Sequence, residues 1–342
     1  VAVTDHVERV TAAAAATSIR LPVEFSWFGE ASPPLPARVR QALTARTARS
    51  YLLHAVQTRL YQDFYLRGVA SPTSWDSTGG LPAARAAVIG RLSSANAGDG
   101  FWESGWTLVS AGPDEAVVSR DGLQLRVRPE DCPVPLEASP RPGPVRLRMP
   151  KEFLNLSPGF YMAAGDRELL PDGSRPLVRV YWNLRVAGAV PFVRAATTAL
   201  NYAEVPFRLK VLLDAGGFVR CDAGVLYLRG LDDDARDGLT LVYRDVTGHL
   251  KAGTPALTQV LHPGVAFAED PGGGFSFGQH RMRLLADGLI RAAERGQTSL
   301  PDRLRTVTER FAEAGVSLQR PFLSPDPALP VFAGAGSAGP GG

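Results

Sequence analysis

The spacing of apolar positions changes partway along the chain, and the two spacings predict two kinds of structure. From Val1 to about Arg67, apolar residues recur at helical intervals. An alanine-rich opening, TAAAAATSIR, runs to a break at SPPLP. The next segment, ARVRQALTARTARSYLLHAVQTRLYQDFYLRG, sets Leu43, Ala48, Leu52, Ala55, Leu60 and Phe64 on one face. It predicts a helix of about 30 residues with Gly68 as its stop. His54 falls inside that apolar pattern and reads as a packed or capping residue. A polar loop, SPTSWDSTGG, leads to a shorter helix, LPAARAAVIGRLSSAN.

Between Trp106 and Arg128 the period drops to two. WTLVSA, EAVVSRD and LQLRVRP alternate as antiparallel strands do. A proline-rich connector, PEDCPVPLEASPRPGP, precedes the strand-like VRLRMP. Beyond it the expected order is a strand (PLVRVYWNLRV), a helix (PFVRAATTALNYA) and two more strands (PFRLKVLLD, FVRCDAGVLYL). Helices follow around LTLVYRDVTGHLKAG, QHRMRLLADGLIRAAERG and LPDRLRTVTERFAEAG. The fold expected is α+β: a helical N-terminal part packed on a mainly antiparallel β-sheet, with C-terminal helices. We divide the chain into a helical subdomain at 1–105, an α+β catalytic region at 106–330, and a disordered tail at 331–342, where AGAGSAGPGG is of low complexity.

Composition adds bounds. The 342 residues are 45% hydrophobic and 21% charged, enough for a sizeable core. Two distant cysteines, Cys132 and Cys221, argue against a disulfide framework or a structural zinc site and fit a reducing compartment. The opening VAVTDHVERV carries acids and no long apolar run, so neither a signal peptide nor a membrane span is expected, and the cytoplasm is the expected location. Lys and Arg total 37; three are lysines (Lys151, Lys210, Lys251), which leaves 34 arginines. A GC-rich genome accounts for such a bias, so the retained lysines carry more information than the arginines. A net charge of +3 without a basic run does not fit a nucleic-acid binder.

Chemistry concentrates in the three strands of the second half. Side chains two apart share a face of a strand. Arg179, Tyr181 and Asn183 therefore fall together, as do Arg208 and Lys210, and Arg220 and Asp222, each opposite an apolar set. A solvated outer sheet face produces the same alternation. Such faces mix signs, however, and here only Asp222 offsets Arg179, Arg208, Lys210 and Arg220; guanidiniums gathered this way suit an anion. In GGGFSFGQHRMR, Ser276 is a candidate N-cap, with His280 and Arg281 in the first helical turn behind it. His280 there reads equally as a capping histidine, and His262, before Pro263, as a turn residue. The glycines lack the lysine-serine ending of a nucleotide P-loop and the spacing of a dinucleotide fingerprint. No metal-ligand motif appears, and neither a metal nor a cofactor is expected.

The segments FYLRG (64–68), SSANAGDGFWESGW (93–106), SPGFYMAAGD (157–166), RVYWNL (179–184), LNYAEVPFRLKVL (200–212), RCDAGVLYL (220–228), PGVAFAEDPGGGFSFGQHR (263–281) and GVSLQRPFLSP (315–325) occur in that order. Together they resemble the HopA-type family, named after a type III secretion effector of plant-pathogenic bacteria, over about 40–330. The resemblance implies a phosphothreonine or phosphoserine lyase. Such proteins stand beside a phosphotransferase-like kinase in the making of thioamitides and class V lanthipeptides. The kinase phosphorylates a precursor peptide, and the lyase eliminates phosphate to leave dehydrobutyrine or dehydroalanine.

On that implication, Arg208, Arg220, Arg179 and Arg281 would bind phosphate, and His280 would protonate the leaving oxygen. Lys210 or Lys151 would take the Cα proton; if Lys210 instead steadies the enolate, Lys151 or Tyr181 is left as base. Asp222 would orient an arginine or the histidine. Glu269 and Asp270 would either do the same or solvate a loop. A non-catalytic phosphopeptide- or leader-binding subunit and a translocated effector are the competing readings.

Overall fold

The structure, a computed structural model, describes residues 5–67, 82–132, 143–170 and 175–324. The expected tail at 331–342, the Gly68 stop, the loop SPTSWDSTGG and most of the proline-rich connector lie outside the described residues.

Helix α1 (His6–Ala16) starts at Asp5, whose carboxylate accepts from the Glu8 amide at 2.9 Å. It leads into a small antiparallel sheet, β1 (Thr17–Arg20), β2 (Glu24–Trp27) and β3 (Glu30–Ala31), in a stretch expected to be mostly helical. The long helix expected from residue 37 is broken into three pieces. Helix α2 (Ala37–Ala42) stops, and α3 (Ala45–Arg59) starts afresh behind Thr44. The reason is a reciprocal cap: Thr44 Oγ accepts from the Thr47 amide at 3.2 Å, and Thr47 Oγ accepts from the Thr44 amide at 2.9 Å. The last piece, Leu60–Tyr65, is π-helical.

Helix α4 (Pro82–Ala95) precedes a four-stranded antiparallel sheet of order β6-β5-β4-β7, built from β4 (Phe101–Ala111), β5 (Ala116–Arg120), β6 (Leu123–Val127) and β7 (Gly143–Met149). The remaining elements are β8 (Phe160–Ala164), β9 (Leu177–Trp182), α5 (Ala189–Tyr202), β10 (Phe207–Leu212), β11 (Gly224–Arg229), α6 (Asp233–Val246), β12 (Gln259–His262), β13 (Val265–Glu269), α7 (Phe277–Glu294) and α8 (Leu300–Glu313). Their six strands form an antiparallel sheet of order β12-β13-β9-β11-β10-β8, so the fold is α+β with C-terminal helices.

The central sheet has two unlike faces. Val178, Val180, Trp182, Leu209, Val211, Leu226 and Leu228 point to one side and pack with Phe192, Val193 and Leu200 of α5 and Val242 of α6. These side chains are almost wholly buried, and each contributes roughly 1.5–3 kcal/mol of transfer free energy. On the other side, Tyr181, Val225 and Ala268 pack with Tyr65 of the π turn and with Phe277, Leu285 and Leu289 of α7. That second cover is incomplete, and the uncovered part of the face carries the polar groups.

One expected strand is partly wrong. FVRCDAGVLYL does not extend throughout: Ala215–Val219 form a 3₁₀ turn, Arg220 is its C-cap, and β11 begins only at Gly224. Asp214 holds that turn by accepting from the Gly216 amide at 3.1 Å. Arg220 and Asp222 are thus loop residues, freed from strand alternation. No helix among the described residues is long and apolar enough to cross a membrane.

Candidate active site

Strand register lays out the polar face row by row, since directly paired residues point to the same side. One row reads Ala268, Arg179, Tyr227, Arg208, Ala164 across β13, β9, β11, β10 and β8. The next reads Ala266, Tyr181, Val225, Lys210, Met162. Tyr227 stands between Arg179 and Arg208 and keeps two like charges from pairing directly.

Aromatic rings separate the other cations as well. Lys210 Nζ lies 4.5 Å from the centre of the Phe160 ring and 5.9 Å from that of Tyr227. The Arg220 guanidinium lies 5.7 Å from the same Phe160 ring, and that of Arg179 lies 5.3 Å from Tyr227. The result is a chain in which cation and ring alternate: Arg220, Phe160, Lys210, Tyr227, Arg179. Ring faces attract cations, so this interleaving holds positive charges together more cheaply than direct contact would.

Two of these cations are pinned by carboxylates. Arg220 Nε and Nη2 donate to both oxygens of Asp222, at 2.7 and 2.8 Å, and Asp222 is buried. Arg179 Nε donates to Asp270 at 2.7 Å, and its Nη2 reaches the same oxygen. Burial lowers the pKa of each guanidinium. For Arg220, Asp222 more than offsets that; for Arg179, Tyr181, Tyr227 and Asp270 do, and both shifts are upward overall. Asp222 therefore orients an arginine and not the histidine, and Asp270 acts in the same way. Glu269 instead accepts from the Ser324 amide at 2.6 Å. Among the described residues, neither Lys210 nor Arg208 has a carboxylate partner.

Part of this set opens on a cavity of about 580 Å³, whose lining does not include Arg208, Arg220 or Phe160. Arg179, Lys210, Tyr227 and Met162 line it from the sheet, Leu156 and Ser157 from the loop before β8. Asp270, Gly274, Phe275, Ser276 and Gln279 close the remaining side. Ser276 caps α7: its Oγ accepts from the Gln279 amide at 3.3 Å, while Gln279 Oε1 accepts from the Ser276 amide at 3.1 Å. The three preceding glycines, Gly272, Gly273 and Gly274, all have φ between 66° and 79°, a run that other residues adopt only under strain.

The π turn reaches the same place. Tyr61 stacks on Tyr65 with centroids 5.2 Å apart. Its hydroxyl bonds Ser276 and feels Asp222, Arg220 and Arg179; burial first, then Asp222, push it up to about 12. Tyr65 meets Tyr181 edge to face at 6.5 Å. The extra residue per turn re-aims the end of this helix, as such turns do near functional sites. The carbonyls of Tyr65 and Leu66 then accept from the amides of Ala256 (3.1 Å) and Cys221 (2.6 Å), which fastens the Arg220–Asp222 loop to it. Gly278 makes room: a Cβ there would lie 2.3 Å from the Tyr65 ring.

Four expected site residues are placed elsewhere. Arg281 is fully buried; its Nε donates to the Pro321 carbonyl at 2.7 Å, its Nη2 to that of Leu323 at 2.5 Å, and its Nη1 meets His280 Nδ1 at 2.6 Å. Three of its five N–H donors are engaged inside the protein, it does not line the cavity, and it ties down the segment after α8. His280 does not line the cavity; burial, Arg281 and Arg310 lower its pKa to about 4, so it is a neutral acceptor. Lys151 Nζ donates to the Asn96 carbonyl at 2.9 Å, beside Tyr161, which points to the apolar face away from Lys210. Tyr181 is on the right face but buried under Tyr65, with its pKa pushed up chiefly by that burial, so it is no base.

The residues missed in the sequence are Tyr61, Phe160 and Tyr227. Alternation through FVRCDAGVLYL puts Tyr227 with Val225 opposite Arg220 and Asp222; the 3₁₀ turn before Gly224 breaks that phase, and the register sets Tyr227 beside Arg179 and Arg208 instead. Phe160 and Tyr61 gave no signal, because a ring between two cations and a ring on a helix both look like core.

A slightly larger cavity, about 650 Å³, lies at the start of β10 and the end of β11. It is lined by Glu168, Glu204, Asp232 and Asp234 against Arg175 and Arg229, a balance that does not suit an anion. No group of three or more metal-ligating side chains occurs among the described residues.

With this geometry in view, similarity to known proteins is limited and consistent. The sequence profile of the HopA1 effector protein family matches residues 152–323, which contain the central sheet, the cation chain and α7. No curated protein sequence matches the chain. Two solved structures align at low identity. The effector protein from Pseudomonas syringae pv. tomato strain DC3000 is 16% identical, with a TM-score of 0.46 over 84% of this chain and 93% of that one. The effector protein from Pseudomonas syringae pv. syringae strain 61 is 13% identical, with a TM-score of 0.46 over 94% and 98%.

Proposed function

The chain belongs to the HopA1 effector protein family, and from that premise we propose that it is a lyase acting on phosphothreonine and phosphoserine in a peptide. The observation that carries this reading is the alternating chain Arg220, Phe160, Lys210, Tyr227, Arg179, of which Lys210, Tyr227 and Arg179 line a cavity and the lysine has no carboxylate partner among the described residues.

A phosphate ester seated there meets guanidinium donors whose forks match its oxygens. Asp222 and Asp270 fix those forks before the substrate arrives, so little reorganisation is left for the reaction. The Lys210 amine takes the Cα proton. The Cα–H electron pair becomes the Cα=Cβ bond, the Cβ–O bond breaks, and phosphate leaves with that bond's electrons. The ester reacts as its monoanion, so hydrogenphosphate leaves as a dianion without a proton from a histidine, and Arg179, Arg220 and Arg208 stabilise the charge that develops on it. The products are dehydrobutyrine from threonine, dehydroalanine from serine, and inorganic phosphate.

The substrate must arrive already phosphorylated, and the sequence has no nucleotide-binding loop with which to phosphorylate it. A partner kinase of the phosphotransferase type, acting first on a ribosomal precursor peptide in the cytoplasm, completes the proposal.

One observation favours a second reading. Among the described residues no histidine lines the cavity, so a conventional general acid is missing there. A subunit that only holds phosphopeptide or leader for its partner would need none. Mass spectrometry of a phosphothreonine peptide incubated with the protein separates the two. The lyase yields a peptide lighter by one phosphoric acid, whereas the binding subunit returns the phosphopeptide unchanged.

A further inference from the structure

The lip of the cavity carries information that its charged floor does not. Two large apolar side chains lining it are exposed, Leu156 at 60% and Phe275 at 45%. They come from separate loops, the one before β8 and the glycine loop before α7. Gathered at the mouth of one cavity, they offer apolar contact to whatever the cavity binds. The charge balance narrows what they bind. Among the described residues the charged groups lining the cavity are Lys210 and Arg179 against Asp270, an excess of one positive charge. A phosphate monoester carries roughly −1.5 to −2 and consumes that excess. Acidic residues beside it would find no cation left. Lysines beside it would lose water against Leu156 and Phe275 with no new partner.

We infer that this site, read as a phosphopeptide site, takes a phosphorylated residue flanked on both sides by neutral, apolar residues, and that Leu156 and Phe275 set this preference. The inference rests on the proposed phosphopeptide reading but not on turnover.

The test is a set of fluorescent phosphothreonine peptides that differ only in the two residues on each side: Ala/Val/Ile, Ser/Gly, Asp or Lys. Affinity is read by polarisation and elimination by mass. Apolar flanks should bind roughly tenfold more tightly than Ser/Gly flanks, the gain expected from covering one or two large apolar side chains. Asp and Lys flanks should be weakest. In the Leu156→Ser/Phe275→Ser variant the apolar peptide should fall to the Ser/Gly level. If that variant does not fold, the peptide series on the unaltered protein still decides.

Equal affinity for all flanks, a preference for acidic or basic flanks, or an apolar preference that survives the double substitution in folded protein each overturns the inference. So does absence of binding by any phosphopeptide. Flank-selective binding without loss of phosphate upholds the inference and removes the lyase; elimination indifferent to flanks does the reverse.

Discussion

Replacing Lys210 by Gln perturbs the proposed reaction and almost nothing else. The Lys210 amine makes no ion pair among the described residues; its contacts are the Phe160 ring at 4.5 Å and the Tyr227 ring at 5.9 Å. Each cation–π contact is worth about 0.5–1 kcal/mol where water has access, and the second is near the limit of reach. Removing the charge also relieves repulsion from Arg208 and Arg220. The net stability change should therefore stay below about 1 kcal/mol. A general base, by contrast, contributes roughly 10²–10⁴-fold in rate, or about 3–5 kcal/mol of barrier. Lys151→Gln should invert the pattern. It deletes a charge-assisted bond to the Asn96 carbonyl, worth about 1.5–3 kcal/mol, on the face away from the cavity. Urea unfolding gives the stabilities and single-turnover elimination of a phosphothreonine peptide gives the rates. A folded Lys210→Gln protein within about threefold of the unaltered rate, or a folded but inactive Lys151→Gln protein, would refute the assignment.

Three further outcomes follow from the geometry. Gly278→Ala places a methyl 2.3 Å from the Tyr65 ring, so it should cost about 1–3 kcal/mol by overpacking and should slow elimination through the displaced π turn, measured by thermal unfolding and turnover together. Arg281→Met leaves the carbonyls of Pro321 and Leu323 without a donor, at about 1–3 kcal/mol each, and limited proteolysis should then cut after α8 while phosphopeptide affinity of the folded fraction is kept. His6 and His280 are both lowered from 6.5 to about 4, mainly by burial. The unfolded chain therefore takes up protons first, and stability present above pH 6.5 is lost as pH falls towards 4; the urea midpoint should drop over that window, and the His6→Asn/His280→Gln variant should flatten the drop.

Much of the scaffold was legible because burial on one side of a strand enforces a period of two. Val178, Val180 and Trp182 against Arg179 and Tyr181, and Leu209 and Val211 against Arg208 and Lys210, were separable by alternation alone, and the register sets them in shared rows with β11 between. Local patterns also revealed the cap at Ser276 and the helix behind it. The failures have physical causes. Thr44 caps a new helix inside an unbroken apolar pattern, because a reciprocal threonine pair competes with helix continuation. The π turn at Leu60–Tyr65 shifts the phase of its side chains, so a 3.6-residue period could not aim Tyr61 at the cavity. Arg220 and Asp222 were assigned to a strand face that they do not occupy, yet their mutual bidentate pair was within reach of their spacing. Arg281 and His280 sit at a helix start, the ordinary place for an anion, but chain carbonyls forty residues away occupy the guanidinium instead. Long-range contacts of that kind leave no local trace.

The proposed chemistry breaks a carbon–hydrogen bond, and a labelled substrate shows whether it does. A phosphothreonine peptide deuterated at Cα should release phosphate several-fold more slowly than the unlabelled peptide in single turnover, and its product should be a dehydrobutyrine peptide without the label. A product that keeps the deuterium and carries threonine, formed at the same rate from both peptides, would mean hydrolysis at phosphorus and would contradict elimination at this site.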